Sequence, residues 1–577
     1  MTSGTPAPGR VNPPVLLAYG RLCLQAGHIA RLRDVLERIE PPGADWMPDQ
    51  LLALVGLAEK SGTFRLAATV LDTALARDRI PIGLALHLLR SAHAAGDARR
   101  SARLRDLLEA KVPDADRPAF RCRSLMLLHG PSGALARLRR VPQGRRSPAA
   151  AEALAELLLQ AGERALCLRY LRMCRRRWPN ASALLRQQIA AMIRFGAADE
   201  ALALLDGLPA RRQGAAIQRL RIQALSALGR LGEVRALLDG ATQLQLNQIG
   251  GQLQIMLALA EGDACAAARL VPLAAAQTGR SDRAVPQFRF SQLGAQLAEL
   301  QLLDSIEAAA TCPADIAGLH RGFYFPARRK VGAWQAEAAA AQPGPGAGGI
   351  PRRILQYWDS VEVPGSTAQV MASWEAVPGY SYRRFDRPSA IAYLRDRFGE
   401  AHLRAFLLAN GPAEESDFLR LCLLLAEGGI YADADTLLAG DPETLRGAGA
   451  GMVLYRESFG AVGNTVMAAA PGHPLLQQAV DMALAALRAR ENDITWAKTG
   501  PGLLTRATAL HLEETAGQPG GPDLRLLPEQ AVLRVVQMHM ALPYKAAPAY
   551  WNRPDGHPPA EITAVLDAAL GATAVPA

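Results

Sequence analysis

Through the first half of the chain, apolar residues recur at helical spacing and a glycine closes each run. Leu154, Leu157 and Leu158 lead to Gly162, and AADEALALL (197–205) follows Gly196 with the next apolar stripe. The recurring glycines are Gly27, Gly62, Gly96, Gly130, Gly162, Gly196, Gly229 and Gly262, with successive separations of 35, 34, 34, 32, 34, 33 and 33 residues. Pro179 and Pro209 fall near the ends of the second helices, where a residue that cannot continue a helix belongs. The pattern predicts repeated helix–turn–helix units over 15–280. One such pair cannot bury its apolar face alone, so neighbours stack into a superhelix with a concave surface.

This period of about 34 residues resembles the tetratricopeptide repeat, with Leu or Ala at most of that family's aromatic positions. The array carries no catalytic constellation, and arrays of this kind bind a protein or peptide partner. Residues 1–14 read as a disordered N-terminus without the basic-then-apolar order of a signal peptide. Residues 281–335 stay helical but lose the glycine period, and read as a cap or connector. The Pro-Gly alternation of 336–349 reads as a linker.

Beyond Ile350 strands alternate with helices, the pattern of an α/β domain over 350–557, followed by a C-terminal helix or tail over 558–577. RILQYW (353–358) and YSYRRFD (380–386) are strand candidates, and SAIAYLRDRFG (389–399) is a helix. Glu414 to Glu427 predicts a helix whose buried face carries Phe418, Leu421, Cys422 and Leu425. Gly428-Gly429 ends it, and an extended Ile430–Ala432 leads into Asp433-Ala434-Asp435. In an extended backbone, residues two apart share a face, so Asp433 and Asp435 could reach one hard cation. Mn²⁺ or Mg²⁺ suits oxygen ligands shared with substrate phosphates, and stabilises a diphosphate leaving group. Asp417 and Arg420 lie one turn apart in an apolar helix. They form either a simple ion pair or a donor-facing pair that bonds sugar hydroxyls.

Composition changes this picture little. Half of the residues are hydrophobic, as in a folded chain, and the net charge is +10. Only five of the 64 basic residues are Lys, at positions 60, 111, 330, 498 and 545, so the charge reflects Arg-biased usage rather than a nucleic-acid partner. Seven scattered cysteines without paired spacing, and no apolar run long enough to span a bilayer, point to a cytoplasmic protein, at the inner membrane face if it touches a membrane.

The run SDFLRLCLLLAEGGIYADADTLL resembles the signature of DXD-containing glycosyltransferases of family 32, which include capsular-polysaccharide sugar transferases and mannosyltransferases. IPRRILQYW (350–358), GNTVMAAAPGHPLL (463–476), KTGPGLL (498–504) and YKAAPAYW (544–551) resemble flanking motifs of that family. The resemblance implies a GT-A type, Rossmann-like α/β domain and retention of anomeric configuration. The donor would be a nucleotide sugar, UDP- in preference to GDP-linked, and the acceptor a saccharide, glycolipid or protein. It places Trp358 against the nucleotide base, and Ser416, Asp417 and Arg420 at the transferred sugar. Tyr431 and Asp433 fall on the ribose side, Asp433 and Asp435 at the metal, and Asn464, Thr499, Gly500 and Pro501 along the donor or acceptor side. Two positions depart from the family: Leu355 and Tyr550 stand where relatives carry His, and His539 is a speculative substitute. A haloacid-dehalogenase phosphatase also begins with D-x-D, but that motif lies near the start of its domain. The remaining alternative is a repeat scaffold carrying an inactive transferase domain.

Overall fold

The computed structural model describes residues 12–546 apart from 26–27, 41–45, 95–97, 139–146, 210–213, 243–245, 247–248, 279–287, 289–290, 339–348, 448, 492, 519–520 and 539. The linker core, the closing Tyr550-Trp551 pair, His539 and the C-terminal tail therefore lie outside the described residues.

The N-terminal half is an array of helix pairs. Pro48–Ser61 packs on Phe64–Leu75, Pro148–Gln160 on Arg164–Arg177, Ser182–Arg194 on Ala198–Asp206, and Gly251–Glu261 on Ala264–Thr278. The glycines that set the sequence period are the pivots. Gly62, Gly130, Gly162, Gly196, Gly229 and Gly262 all take positive φ, at 80°, 71°, 79°, 76°, 70° and 83°. Five of these turns close with the same hydrogen bond, from the N–H after the glycine back five residues: Thr63 to Ala58 (2.9 Å), Glu163 to Leu158 (3.0 Å), Ala197 to Met192 (2.8 Å), Arg230 to Leu225 (2.9 Å) and Asp263 to Ala258 (2.8 Å). This bond satisfies a carbonyl that the helix end leaves orphaned, and the left-handed conformation it needs costs a side-chain-bearing residue about 1–2 kcal/mol.

The C-terminal half is built on a mixed sheet. Its strands are β1 (Arg353–Tyr357), β2 (Ser381–Phe385), β3 (Gly429–Ala432), β5 (Met452–Arg456), β6 (Val462–Ala469) and β7 (Leu524–Pro528), in the order β2-β1-β3-β6-β5-β7. β1 pairs in parallel with β2 and β3, β5 with β7, and β6 runs antiparallel to β3 and β5. The carboxyl ends of β1, β3, β5 and β7 therefore share one edge. A separate ribbon joins β4 (Leu437–Leu438) to β8 (Val536–Gln537).

One face of the sheet is covered by α1 (Tyr324–Ala338), α3 (Pro412–Glu427), α4 (Pro474–Ala489) and α5 (Pro501–Glu514). Their core contains Val331, Phe418, Leu421, Cys422, Leu475 and Leu503. Leu355, where relatives carry His, is wholly buried in this core. The other face packs Ile354, Ile430 and Val466 against Trp374 of α2 (Gly365–Glu375) and against Val532, Val535 and Val536.

The two halves meet along the glycine turns. Gly130 lies against Ser366 and Pro543, Gly162 against Leu437 and Gln537, and Gly196 against Gln530 and Arg534. Arg534 Nε donates to Gly196 O (2.8 Å), Ala198 N to Gln530 Oε1 (3.1 Å), and Arg164 to Arg534 O (3.3 Å). Farther along, Arg328 of α1 donates to Ala260 O of the array (2.7 Å) and to Phe459 O of the sheet domain (3.1 Å).

These contacts separate two glycines of identical local conformation. A Cβ at Gly229 meets nothing within 4 Å, whereas one at Gly162 would collide with the Leu437 side chain. We expect Gly229→Ala to cost about 1–2 kcal/mol, and Gly162→Ala to exceed it by about 1–3 kcal/mol of overpacking. Urea unfolding compares them, and equal losses would contradict the junction. A second expectation concerns His511, buried in α5 with its ring 5.2 Å from that of His473. Burial, with His473 adding to it, lowers His511 from 6.5 to about 4. The unfolded chain thus takes up a proton that the folded one refuses, so stability falls as pH drops from about 6.5 towards about 4. His511→Leu should flatten that slope in thermal melts recorded across the window.

Candidate functional site

The site forms where α3 crosses the carboxyl edge of the sheet. The helix begins at Pro412 after Gly411, with Glu414 and Glu415 in its first turn, where acidic groups suit the helix dipole. Both are held. Tyr357 donates to Glu415 Oε2 (2.7 Å) and Arg387 to its Oε1 (2.8 Å). Glu414 forms a buried ion pair with Lys498 at 2.8 Å and accepts from Asn410 N (2.7 Å). The first turn of α3 is thereby fastened to β1 and to the segment preceding α5.

At the other end of the helix, Gly428 and Gly429 have φ of 64° and 111°. A Cβ on Gly429 would stand 2.6 Å from Arg353 O, so the helix-to-strand reversal accepts no other residue at full density. The reversal delivers β3 beneath its own helix. Tyr431 then lies under Arg420, whose guanidinium carbon is 4.8 Å from the ring centroid, and the Tyr431 hydroxyl bonds Ser416 Oγ at 2.8 Å.

Arg420 is the hub. It reaches Asp433 Oδ1 (2.8 Å), Asp417 Oδ1 (3.0 Å) and Ser416 Oγ (3.0 Å), and donates to the Asn464 carbonyl. Asp417 accepts from Asn464 Nδ2 (2.9 Å) and Thr499 Oγ1 (3.1 Å). Residues from α3, the end of β3, β6 and the turn before α5 thus join one network. The Arg420 side chain is only 4 % exposed, so its i,i+3 pair with Asp417 is not a surface pair worth a few tenths of a kcal/mol. Burial raises the Asp417 and Asp433 carboxyls, and Arg420 pulls both back. Burial also opposes the Arg420 charge, but Asp433 and Asp417 outweigh it and hold the guanidinium above its ordinary range.

The structure corrects two sequence expectations. Asp433-Ala434-Asp435 is not extended: Thr436 N returns to Asp433 O at 3.0 Å, closing a turn. The alternation argument therefore does not apply. Asp433 pairs with Arg420, and Asp435 with Lys545 and Tyr544, while the two carboxylates still repel each other and Lys545 also acts on Asp433. Tyr431 is fully buried, so it supports Arg420 from below and presents no surface to a ribose. Two further candidate positions lie beside this network. Gly500 opens α5 with Pro501 at its first position, and a Cβ on Gly500 would lie 3.3 Å from Asp417 Oδ2. Trp358 follows β1, its Nε1 buried without a hydrogen-bond partner among the described residues, and its ring meets Tyr544 edge-on at 5.0 Å.

The turn is fixed through its backbone. Gln356 Nε2 donates to Asp433 O (3.3 Å), Trp374 Nε1 to Thr436 O (2.7 Å), Asp433 N to Thr465 O (3.0 Å) and Met540 N to Asp435 O (3.1 Å). Sequence reading missed Lys498, Lys545 and Tyr544 as members of the site, although all three fall within quoted motifs. Their signal was the scarcity of Lys in an Arg-rich chain. Among the described residues no group of three or more His, Cys, Asp or Glu side chains gathers as a metal cage. A divalent cation would thus rest on Asp435 and substrate oxygens, as Mg²⁺-type sites commonly do.

Residues 367–448 match a family model described as "Glycosyltransferase sugar-binding region containing DXD motif". Over 97 residues, 15% of this chain, the sequence is 35% identical to the initiation-specific alpha-1,6-mannosyltransferase of Saccharomyces cerevisiae, of whose length it spans 20%. Two solved structures are similar at a TM-score of 0.24, too low to bear on the fold. The PaToxG glycosyltransferase is 19% identical, with 39% of this chain and 96% of that one covered, and the maize pentatricopeptide repeat protein PPR10 is 13% identical, with 72% and 62% covered.

Arg420 neutralises two buried carboxylates, and its loss leaves both uncompensated. Arg420→Met should destabilise the C-terminal domain by about 3–5 kcal/mol, read as a fall in its urea midpoint. An unchanged midpoint would mean that the network carries no structural charge balance.

Proposed function

From a chain that carries a DXD-type sugar-binding region, we propose a glycosyltransferase that moves a sugar from a nucleotide-sugar donor, UDP- in preference to GDP-linked, to a saccharide, glycolipid or protein acceptor. We read the sheet domain as GT-A type, the array as tetratricopeptide-like with a place for acceptor or partner, and the reaction as retaining. The observation that carries this reading is the convergence of Asp417, Arg420, Asp433, Asn464 and Thr499 on one buried network beside Asp435. Rigid polar groups placed before substrate arrives are what oriented transfer requires.

Each residue has a role in this reading. Trp358 offers its ring to the base. Asp417 and Arg420, with Ser416 and Asn464, frame the transferred sugar, and Thr499-Gly500-Pro501 closes the wall beside it. Asp433 fixes Arg420, and Asp435 supplies the carboxylate for Mn²⁺ or Mg²⁺. The chemistry such a cation supplies is charge neutralisation at the diphosphate leaving group. Among the described residues no helix is long and apolar enough to cross a membrane. Seven cysteines scattered without paired spacing support a reducing, cytoplasmic setting, including the inner membrane face.

A panel of UDP- and GDP-sugars, assayed for hydrolysis and transfer with and without Mn²⁺, tests the reading. Turnover is expected with at least one donor and is expected to require the metal. Asp435→Ala should abolish it while shifting the melting temperature by no more than about 2 °C, since Asp435 sits at the edge of the network. Failure of every donor with folded protein would instead favour a repeat scaffold with an inactive transferase domain. Trp358→Ala should raise donor KM more than it lowers kcat, because base stacking is largely uniform binding.

A further inference from the structure

The last described segment of the chain closes over the site. After β8, Met540 N binds Asp435 O at 3.1 Å, and the short helix Pro543–Ala546 brings two side chains onto the site. Tyr544 stands edge-on to Trp358 at 5.0 Å, with its hydroxyl 3.4 Å from Asp435 Oδ2. Lys545 Nζ forms an ion pair with that same carboxylate oxygen. The exposures of the two charged side chains, 19% and 16%, leave the pair screened from most solvent but not sealed from it.

The array packs against this segment and the chain leading to it. Gly130 abuts Pro543 of the segment, Gly162 abuts Gln537 of β8 beside Leu437, and Gly196 receives Arg534 just before β8. Three successive repeat turns therefore line the stretch from Gln530 to Pro543, and the strap at its end carries the one cation that touches Asp435 among the described residues. The residue type is informative. In a chain where 64 basic residues include only five Lys, an ammonium stands here. A compact point charge can sit on a single carboxylate oxygen where a planar guanidinium would need a forked partner.

We infer that Lys545 is a built-in counter-cation that competes with the divalent metal for Asp435 and is released to the donor diphosphate when metal and nucleotide bind together. The inference rests on the transferase reading. A divalent cation on either oxygen of the Asp435 carboxylate would stand within a few ångströms of the ammonium, and that repulsion favours displacing it. The displaced ammonium, tethered to a strap seated on the array, needs another anion within reach. A nucleoside diphosphate supplies it. Metal and nucleotide thus help each other to bind, and the coupling runs equally in both directions. Metal without nucleotide is held off, which keeps the site from loading unproductively.

The test is a Mn²⁺ titration of the full chain followed by electron paramagnetic resonance, alone and with saturating UDP or GDP. In wild type, nucleotide should tighten Mn²⁺ binding strongly. Lys545→Met should tighten Mn²⁺ binding in the absence of nucleotide by roughly tenfold and shrink the nucleotide-induced gain by a similar factor. Lys545→Gln guards against a folding failure of the first variant, with thermal melts as control. A structural role alone would not raise metal affinity, so unchanged or weakened Mn²⁺ binding in both folded variants overturns the inference. If wild type binds Mn²⁺ with nucleotide but the variants match it, the inference fails and the transferase reading stands. If wild type neither binds Mn²⁺ with nucleotide nor hydrolyses any donor, the transferase reading itself fails.

Discussion

Arg420 is the charge on which the C-terminal domain depends. A guanidinium at that depth survives only because two carboxylates, a carbonyl and a hydroxyl take up its donors in fixed directions. The same contacts bind three segments, α3, the turn after β3 and β6, and Asp417 adds the approach to α5 through Thr499. An arginine suits the place because its rigid fork satisfies several acceptors at once, which a lysine could not do. A pair predicted from a helical spacing is therefore a joint between secondary-structure elements, and the site's geometry follows from it.

The joint is supported from both ends of α3. Glu414 and Lys498 lock the segment before α5 against the first turn of the helix, and the Gly428-Gly429 reversal folds β3 back under it. Asp433 is thereby paired with Arg420, and Asp435 with Lys545. The two carboxylates of the D-x-D motif thus have different partners.

The helical array has a part in this arrangement that its periodicity does not announce. Its glycine turns satisfy their own helix ends, and three of them also lie flush against the sheet domain, one of them at Pro543 beside Tyr544 and Lys545. Absence of a side chain serves twice, permitting the left-handed turn and allowing close approach of the sheet domain. The array thus packs against the sheet domain beside the segment that carries Tyr544 and Lys545.

Periodic features were legible in the sequence because they are local. The glycine spacing gave the turns, the apolar stripe of α3 gave its buried face, and the Gly-Gly break gave the strand that follows. Asp417, Arg420, Asn464 and Thr499 were also recognisable as a set, since each stands in a motif of its own. The conformation of Asp433–Asp435 was misread as extended, because a turn fixed by Gln356, Trp374, Thr465 and Met540 depends on groups far away in the chain. The burial of Tyr431 and the pairing of Lys545 with Asp435 were likewise invisible, for a side chain's partner across 110 residues is set by packing and not by spacing. Sequence by itself determined which elements form and which residues fall within the motifs. Only the tertiary structure decided which charges neutralise each other, because that choice depends on burial, and burial exists only once the elements are packed.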